Sequence, residues 1–304
     1  MRTRIALLAG HRYGERLAGA MVAARNTIDF VHAFVLHPRN IHRYGGYESA
    51  LGTLKAAGVG FTLFDEAKSF TDGELILSHR PHYIFVCGLR QLIPVDFLWR
   101  LARENDQTQI YSSHSGVICF HPSALPDGAG MAPVQWTLFE RSRESKVSSF
   151  FINDIEIDGG PVINQRGFSI DDEDDAGTLD RKIGNVIADC FREMLPQVAN
   201  RNLSYRPQDA LPGKRRVRPQ INASERWLDF KSGVERVLLE IRAFTKPYGG
   251  ATALIGDRPA LVYKARIEKG AELEVGQVRA DGNDLIVGCA NGVLRLTSYE
   301  FLDR

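Results

Sequence analysis

The chain has 304 residues, 44% hydrophobic and 25% charged, with a formal net charge of +1. That is the profile of a globular protein of about two domains, long enough to bury a large core without staples. Balanced charge gives no global argument for nucleic acid or a membrane surface, although local basic patches remain compatible with it.

The opening run Ile5-Ala6-Leu7-Leu8-Ala9 follows two arginines. It is shorter than the roughly seven apolar residues a secretory signal needs, so it reads as a first buried strand ended by Gly10. A helix pattern follows through Leu17, Met21 and Val22, then a strand over Phe30 to Leu36. Leu51, Leu54 and Ala57 mark a helix, Gly60 to Phe64 a strand, and His82 to Cys87 a strand between Pro81 and Gly88. Val95 to Arg103 reads as a helix and Gly116 to Phe120 as a strand. Strands separated by helices argue for a parallel sheet with helices on both faces. Such α/β sheets bind ligands beyond the carboxyl ends of their strands, which directs attention to the loops after Cys87 and Phe120.

Residues 148–170 read as two strands joined by a loop holding Asp158-Gly159-Gly160. Thr178 to Leu195 has a helical period, which Pro196 is expected to end. Residues 201 to 222 are polar and rich in proline and arginine, as a linker would be. A short helix is expected over Val234 to Phe244, followed by five strand candidates. Gly256-Asp257, Asp281-Gly282 and Asn291-Gly292 are hairpin signals between them, so a small barrel of about five or six strands is expected. The boundaries expected are 1–203, a linker at 204–222, and a β-domain at 223–304.

Cys87, Cys119, Cys190 and Cys289 are far apart and form no CxxC pair. That disfavours zinc and fits free thiols in a reducing compartment, so a cytoplasmic location is expected. No stretch approaches the roughly twenty apolar residues of a membrane span. His11, His37 and His42 lack ligand spacing, and the acidic run Asp171 to Asp175 reads as a solvated loop or helix start, so no metal is expected.

His121, in His121-Pro122-Ser123-Ala124-Leu125-Pro126, follows a strand directly and stands at the carboxyl edge of the sheet. Spacing alone leaves open whether it belongs to a site or to a stiff structural turn. Asp158 lies in a Gly-rich loop that permits close backbone approach or positive φ. A carboxylate paired with an imidazole can fix its tautomer and stabilise the imidazolium, as acyl transfer to an amine requires.

These segments, with Ala132-Pro133-Val134-Gln135-Trp136 and Ile157-Asp158-Gly159-Gly160-Pro161-Val162-Ile163, resemble the folate-dependent formyltransferase family. That family includes methionyl-tRNA, glycinamide ribonucleotide and sugar-nucleotide formyltransferases. Gly88 to Pro94 resembles its folate-side loop, and Ile241 to Ala251 resembles its IRALTKPYPGA stretch. The resemblance implies a Rossmann-like formyltransferase domain with a smaller OB-like β-barrel, and 10-formyl-tetrahydrofolate as formyl donor. It implies His121 and Asp158 as catalytic residues, Cys119 at the third catalytic position, and Arg90, Gln91, Leu92, Ile155 and Asp158 against the donor.

Two departures stand out. Cys119 occupies the place of the family's asparagine, and a thiol is a much weaker oxyanion donor than an amide. A working site with another donor, a weakened or specialised enzyme, and a non-catalytic folate- or nucleotide-binding protein all stay open on that ground. Ala129 occupies the place of the family's loop arginine, with Asp127 adding a negative charge, which puts contacts to an anionic acceptor through this loop in question. Thr245-Lys246-Pro247-Tyr248 and Arg215-Arg216-Val217-Arg218-Pro219 resemble the sugar enzymes more than the tRNA enzymes. The expected substrate is therefore a small amine, a nucleotide-linked amino sugar first, with methionyl-tRNA as the alternative and a homodimer possible. Residues 11–15 follow the first strand and are expected near the acceptor, while Trp136, Trp227 and Tyr248 are candidates for base stacking, with Trp136 read first as core.

Overall fold

The computed structural model describes residues 1–10, 12–39, 49–65, 73–88, 93–104, 116–153 and 156–302. It divides into two compact units. One comprises Met1–Gly130, Glu144–Ser169 and Asp180–Arg218; the other comprises Met131–Arg143, Ile170–Leu179 and Pro219–Arg304.

The first unit is built on β1 (Arg4–Ala9), α1 (Arg12–Ala23), β2 (Asp29–Leu36), α2 (Leu51–Ala56), β3 (Phe61–Phe64), α3 (Gly73–Ser78), β4 (Tyr83–Cys87), α4 (Val95–Glu104) and β5 (Val117–His121). It continues through β6 (Asp127–Gly130), and then β7 (Glu144–Phe151) and β8 (Val162–Ser169). The main sheet has seven strands in the order β3-β2-β1-β4-β5-β7-β8. The first five are parallel, and β7 and β8 pair antiparallel at one side. Each side of the sheet is covered, as a parallel sheet requires. Ala6, Leu8, Phe34, Leu36, Ile84 and Val86 pack with Ile76, Leu77, Phe97, Leu98 and Leu101 of α3 and α4. On the opposite face Phe85 meets Phe191 of α6 (Ala176–Asn200) edge-on, with ring centroids 5.2 Å apart.

Two expectations change. The long helix α6 runs past Pro196 instead of ending there. Proline removes one hydrogen bond close to the helix end, and the last turn is held by other means. Val198 is fully buried, and the Ala199 carbonyl accepts the Thr3 hydroxyl at 2.8 Å. The stretch up to residue 218 is not a free linker either. It contains a 3-10 turn (Gln208–Ala210) and β9 (Arg216–Arg218), which pairs in parallel with β6. Gln208 and Arg218 are each only 9% exposed.

In the second unit α5 (Pro133–Phe139) and α7 (Val234–Phe244) accompany β10 (Ala251–Ile255), β11 (Arg258–Glu268), β12 (Val278–Asp281), β13 (Asp284–Cys289) and β14 (Gly292–Phe301). The strands form an antiparallel sheet in the order β10-β11-β14-β13-β12. No hydrogen-bonded pairing joins β10 to β12 among the described residues, so the five expected strands are present as a sheet with two edges. Two-residue hairpins begin at Gly256 and Gly282, whose φ values of 64° and 62° favour glycine. The core joins Val237, Ile241 and Phe244 of α7 to Ala251, Val262, Val287, Leu294 and Leu296 of the sheet. Among the described residues no helix is long and apolar enough to cross a membrane.

Candidate active site

His121 is the last residue of β5, at the carboxyl edge of the parallel strands. Side chains two apart on a strand share a face, so Cys119 and His121 lie on the same side. The turn after His121 is pinned from below. Ser148, fully buried on β7, donates to the Ser123 carbonyl at 2.6 Å and accepts the Leu125 amide at 3.1 Å. Gln165, its register partner on β8, donates to Ser148 Oγ at 2.9 Å and to the Leu125 carbonyl at 2.7 Å.

Asp158 has a left-handed backbone, φ 50°, in the loop between β7 and β8. The following Gly160 is obligatory: a Cβ there would sit 1.7 Å from the Phe151 carbonyl oxygen. Short strand β6 holds both residues of the pair. His121 Nε2 lies 2.8 Å from the Gly128 carbonyl, and the Gly130 amide donates to Asp158 Oδ2 at 2.8 Å. Gly128 and Gly130 have positive φ values of 77° and 96°, a backbone that favours glycine, and it is this course of the chain that presents the two groups to the pair. His121 Nδ1 then stands 3.5 Å from Asp158 Oδ2, with the two side chains 9% and 18% exposed. Gly130 is itself constrained, since a Cβ there would meet the Arg218 carbonyl oxygen at 2.4 Å.

The tautomer follows from the partners. A carbonyl can only accept, so Nε2 carries the hydrogen given to Gly128. The neutral ring therefore presents the Nδ1 lone pair to the carboxylate. A proton taken up at Nδ1 turns that encounter from repulsion into attraction between imidazolium and carboxylate. The arrangement is that of a proton acceptor with a built-in counter-charge.

Cys119 is partly buried and its thiol is pushed far up, first by burial and then by the nearby Asp158 charge. It stays a thiol at neutral pH, with one long contact of 3.8 Å to the Phe120 carbonyl. It is therefore no nucleophile. Ala129 is fully buried beside Leu125, Phe150 and Val162, and Asp127 is bound by Arg216 at 2.8 and 3.0 Å. Asp127 thus has a structural partner of its own. Arg90, Gln91, Leu92 and Ile155, expected against the donor, lie outside the described residues, as do His11 and His42.

Other expectations resolve as packing. Tyr13 is buried and its hydroxyl donates to Asp180, a fully buried carboxylate that also has Arg12 at 3.7 Å. The acidic run serves a helix start: Asp174 Oδ2 accepts the Asp171 amide, and Asp175 Oδ1 accepts the Thr178 amide, both at 2.8 Å. Trp136 packs against the core of its unit and donates to the Pro219 carbonyl at 3.0 Å, whereas Trp227 is half exposed. Sequence reading missed Gly128, Gly130, Ser148, Gln165 and Gln208. Only the glycines carried a signal, and it reads as an ordinary turn.

Fold and site define a Rossmann-like α/β unit with a His–Asp pair at the carboxyl edge of its sheet, followed by an antiparallel β unit. The chain belongs to the formyl transferase family: residues 72–195 match Formyl transferase and residues 220–304 match Formyl transferase, C-terminal domain. Methionyl-tRNA formyltransferase of Thermodesulfovibrio yellowstonii is 28% identical over 181 residues, 60% of this chain and 57% of that protein. The match thus spans little more than half the length of that curated relative. HypX from Aquifex aeolicus has a TM-score of 0.70 at 15% identity, over 100% of this chain and 45% of that one. An N-formyltransferase from Helicobacter canadensis, in complex with folinic acid and dTDP-3-aminofucose, has a TM-score of 0.66 at 15% identity, over 98% of this chain and 100% of that one. At these identities the structural likenesses speak for the fold alone.

Proposed function

We propose that this chain moves a formyl group from 10-formyl-tetrahydrofolate to the amine of a small substrate, a nucleotide-linked amino sugar first. One observation carries the reading: His121 Nδ1, left free to accept by the Nε2 contact to Gly128, faces Asp158 at 3.5 Å. The amine nitrogen attacks the formyl carbon and a C–N bond forms, leaving an oxyanion on the carbonyl oxygen. The attacking nitrogen loses its proton to His121 Nδ1, and Asp158 offsets the imidazolium charge. Collapse of the intermediate breaks the bond from carbon to folate N10, and the proton on His121 passes to that nitrogen. Tetrahydrofolate and a formamide leave.

Cys119 enters this scheme as a neutral, weak donor. Replacing one good oxyanion donor by a poor one costs a factor of about 100 to 1,000 in turnover, so a modest rate is expected. The bound folinic acid and amino sugar of the Helicobacter canadensis neighbour support the choice of donor and acceptor class. The reading places the chain in the cytoplasm, where the free thiols Cys87, Cys119, Cys190 and Cys289 stay reduced. His121→Ala is expected to abolish release of tetrahydrofolate without altering the circular dichroism spectrum; turnover unchanged in that variant would sink the assignment.

A second reading, transfer to methionyl-tRNA, is favoured by the sequence relatives, several of which are methionyl-tRNA formyltransferases. It requires salt-sensitive binding of charged initiator tRNA. Failure to retard that tRNA at low salt would dispose of it.

A further inference from the structure

Residues 204–218 read as a linker but lie along the back of the catalytic loops. Arg206 exchanges both backbone hydrogen bonds with Val162 at 2.8 Å, just after the Asp158 loop. Two residues on, the buried Gln208 donates through Nε2 to the Asp158 carbonyl at 2.6 Å and to the Gly160 carbonyl at 2.8 Å. Farther along, Arg215 donates to the Ile157 carbonyl at 2.5 Å and pairs with Glu156 at 2.8 Å. The strap ends as β9, bonded to the strand that holds His121 and Asp158.

We propose that Gln208 is a positioning residue for formyl transfer, clamping the Asp158 and Gly160 carbonyls so that the Asp158 carboxylate stays on His121 and Gly130. The inference rests on the roles given above to His121 and Asp158. The amide orientation is dictated by its surroundings. Both neighbours are carbonyl oxygens, so the NH₂ group must face them, and a flipped amide would set oxygen against oxygen. Among the described residues no hydrogen-bond partner is present for Gln208 Oε1. The side chain's polar contacts therefore all go to this loop. They act on Asp158, the one non-glycine residue with a left-handed backbone among the described residues of the loop. A donor bridging the carbonyls on each side of Gly159 fixes how far Asp158 projects, and no apolar side chain could replace it.

Two experiments test this. In the first, amide hydrogen exchange is followed in the wild type and in Gln208→Met, which keeps the length and removes the donors. The Gly130 amide and those of Gly159 and Val162, bonded to the Asp158 carboxylate and to the Glu156 and Arg206 carbonyls, are expected to exchange at least about tenfold faster, while β1 and β4 are unchanged. Unaltered protection at Gly130 would overturn the inference whatever the activity. In the second, tetrahydrofolate release is measured in a double-mutant cycle with Asp158→Asn. Gln208→Met is expected to lower kcat by about 10- to 100-fold in the wild type and less than about threefold in Asp158→Asn, because it acts through that carboxylate. Equal factors in the two backgrounds would mean a general structural role and would also overturn the inference. Should Gln208→Met fail to fold, Gln208→Asn, whose amide falls one methylene short, takes its place in both experiments. If the wild type shows no turnover, the functional reading falls and the exchange data alone decide.

Discussion

Replacing Asp158 by asparagine removes one charge and little else. The amide oxygen can still accept the Gly130 amide, which now reaches Asp158 Oδ2 at 2.8 Å. What is lost is the counter-charge 3.5 Å from His121 Nδ1. Two unit charges at that distance interact by about 5 kcal/mol at an effective dielectric near 20. The carboxylate is partly open to water, so about 2–4 kcal/mol is a fairer figure for the stabilisation of the imidazolium in the transition state. At 1.36 kcal/mol per decade, kcat should fall by roughly 30- to 1,000-fold. The assay is release of tetrahydrofolate from the formyl donor at saturating acceptor, with thermal unfolding run alongside. Turnover within about threefold of wild type, with the fold intact, would refute the reasoning that Asp158 acts through charge.

Restoring an amide donor by Cys119→Asn should raise kcat at least about tenfold, towards the factor of 100 to 1,000 that one oxyanion donor contributes; no gain in single-turnover kinetics would mean another group already fills that role. The free cysteines should resist alkylation at pH 8.5 in the folded state, because burial pushes Cys289 up to about 11 and Cys190 up to about 12, and holds Cys87 and Cys119 well above the ordinary thiol range; rapid labelling of Cys119, read by mass spectrometry, would contradict a protonated thiol at that position. Gly160→Ala should cost about 2–4 kcal/mol of stability, since its Cβ would land 1.7 Å from the Phe151 carbonyl oxygen; an unchanged melting temperature would show that the loop can shift. His32 and His82 are held down to about 4, chiefly by burial. Their folded values lie below the unfolded value, so stability is full above about pH 6.5 and falls as pH drops towards 4. A His82→Asn variant should show a shallower loss over that window in urea titrations.

Much of this architecture is legible in the chain. Strands β10 to β14 announce themselves through alternating apolar residues and glycine-bearing turns, and the placement of His121 follows from a strand ending at a proline-stiffened loop. The parts that complete the site are silent because they depend on partners distant in sequence. Strand β6 reads Asp-Gly-Ala-Gly, with no alternation to betray it, and β9 reads Arg-Val-Arg inside a basic stretch. Each becomes a strand only because the other is there, 89 residues away at the Asp127–Arg216 pair. Gln208 gives no sign of its role, since its two acceptors are backbone carbonyls. Pro196 misleads because a local rule ends a helix that buried Val198 and the Thr3 contact keep going.

The central claim is that a one-carbon folate binds beside His121 and Asp158. Calorimetric titration of the protein with 5-formyl-tetrahydrofolate, a stable mimic of the donor, tests it most directly. Saturable one-to-one binding, tightened when a nucleotide-linked amino sugar is present, is the expected result. No detectable binding at any folate concentration would contradict the account and show that the family's fold has been turned to another ligand.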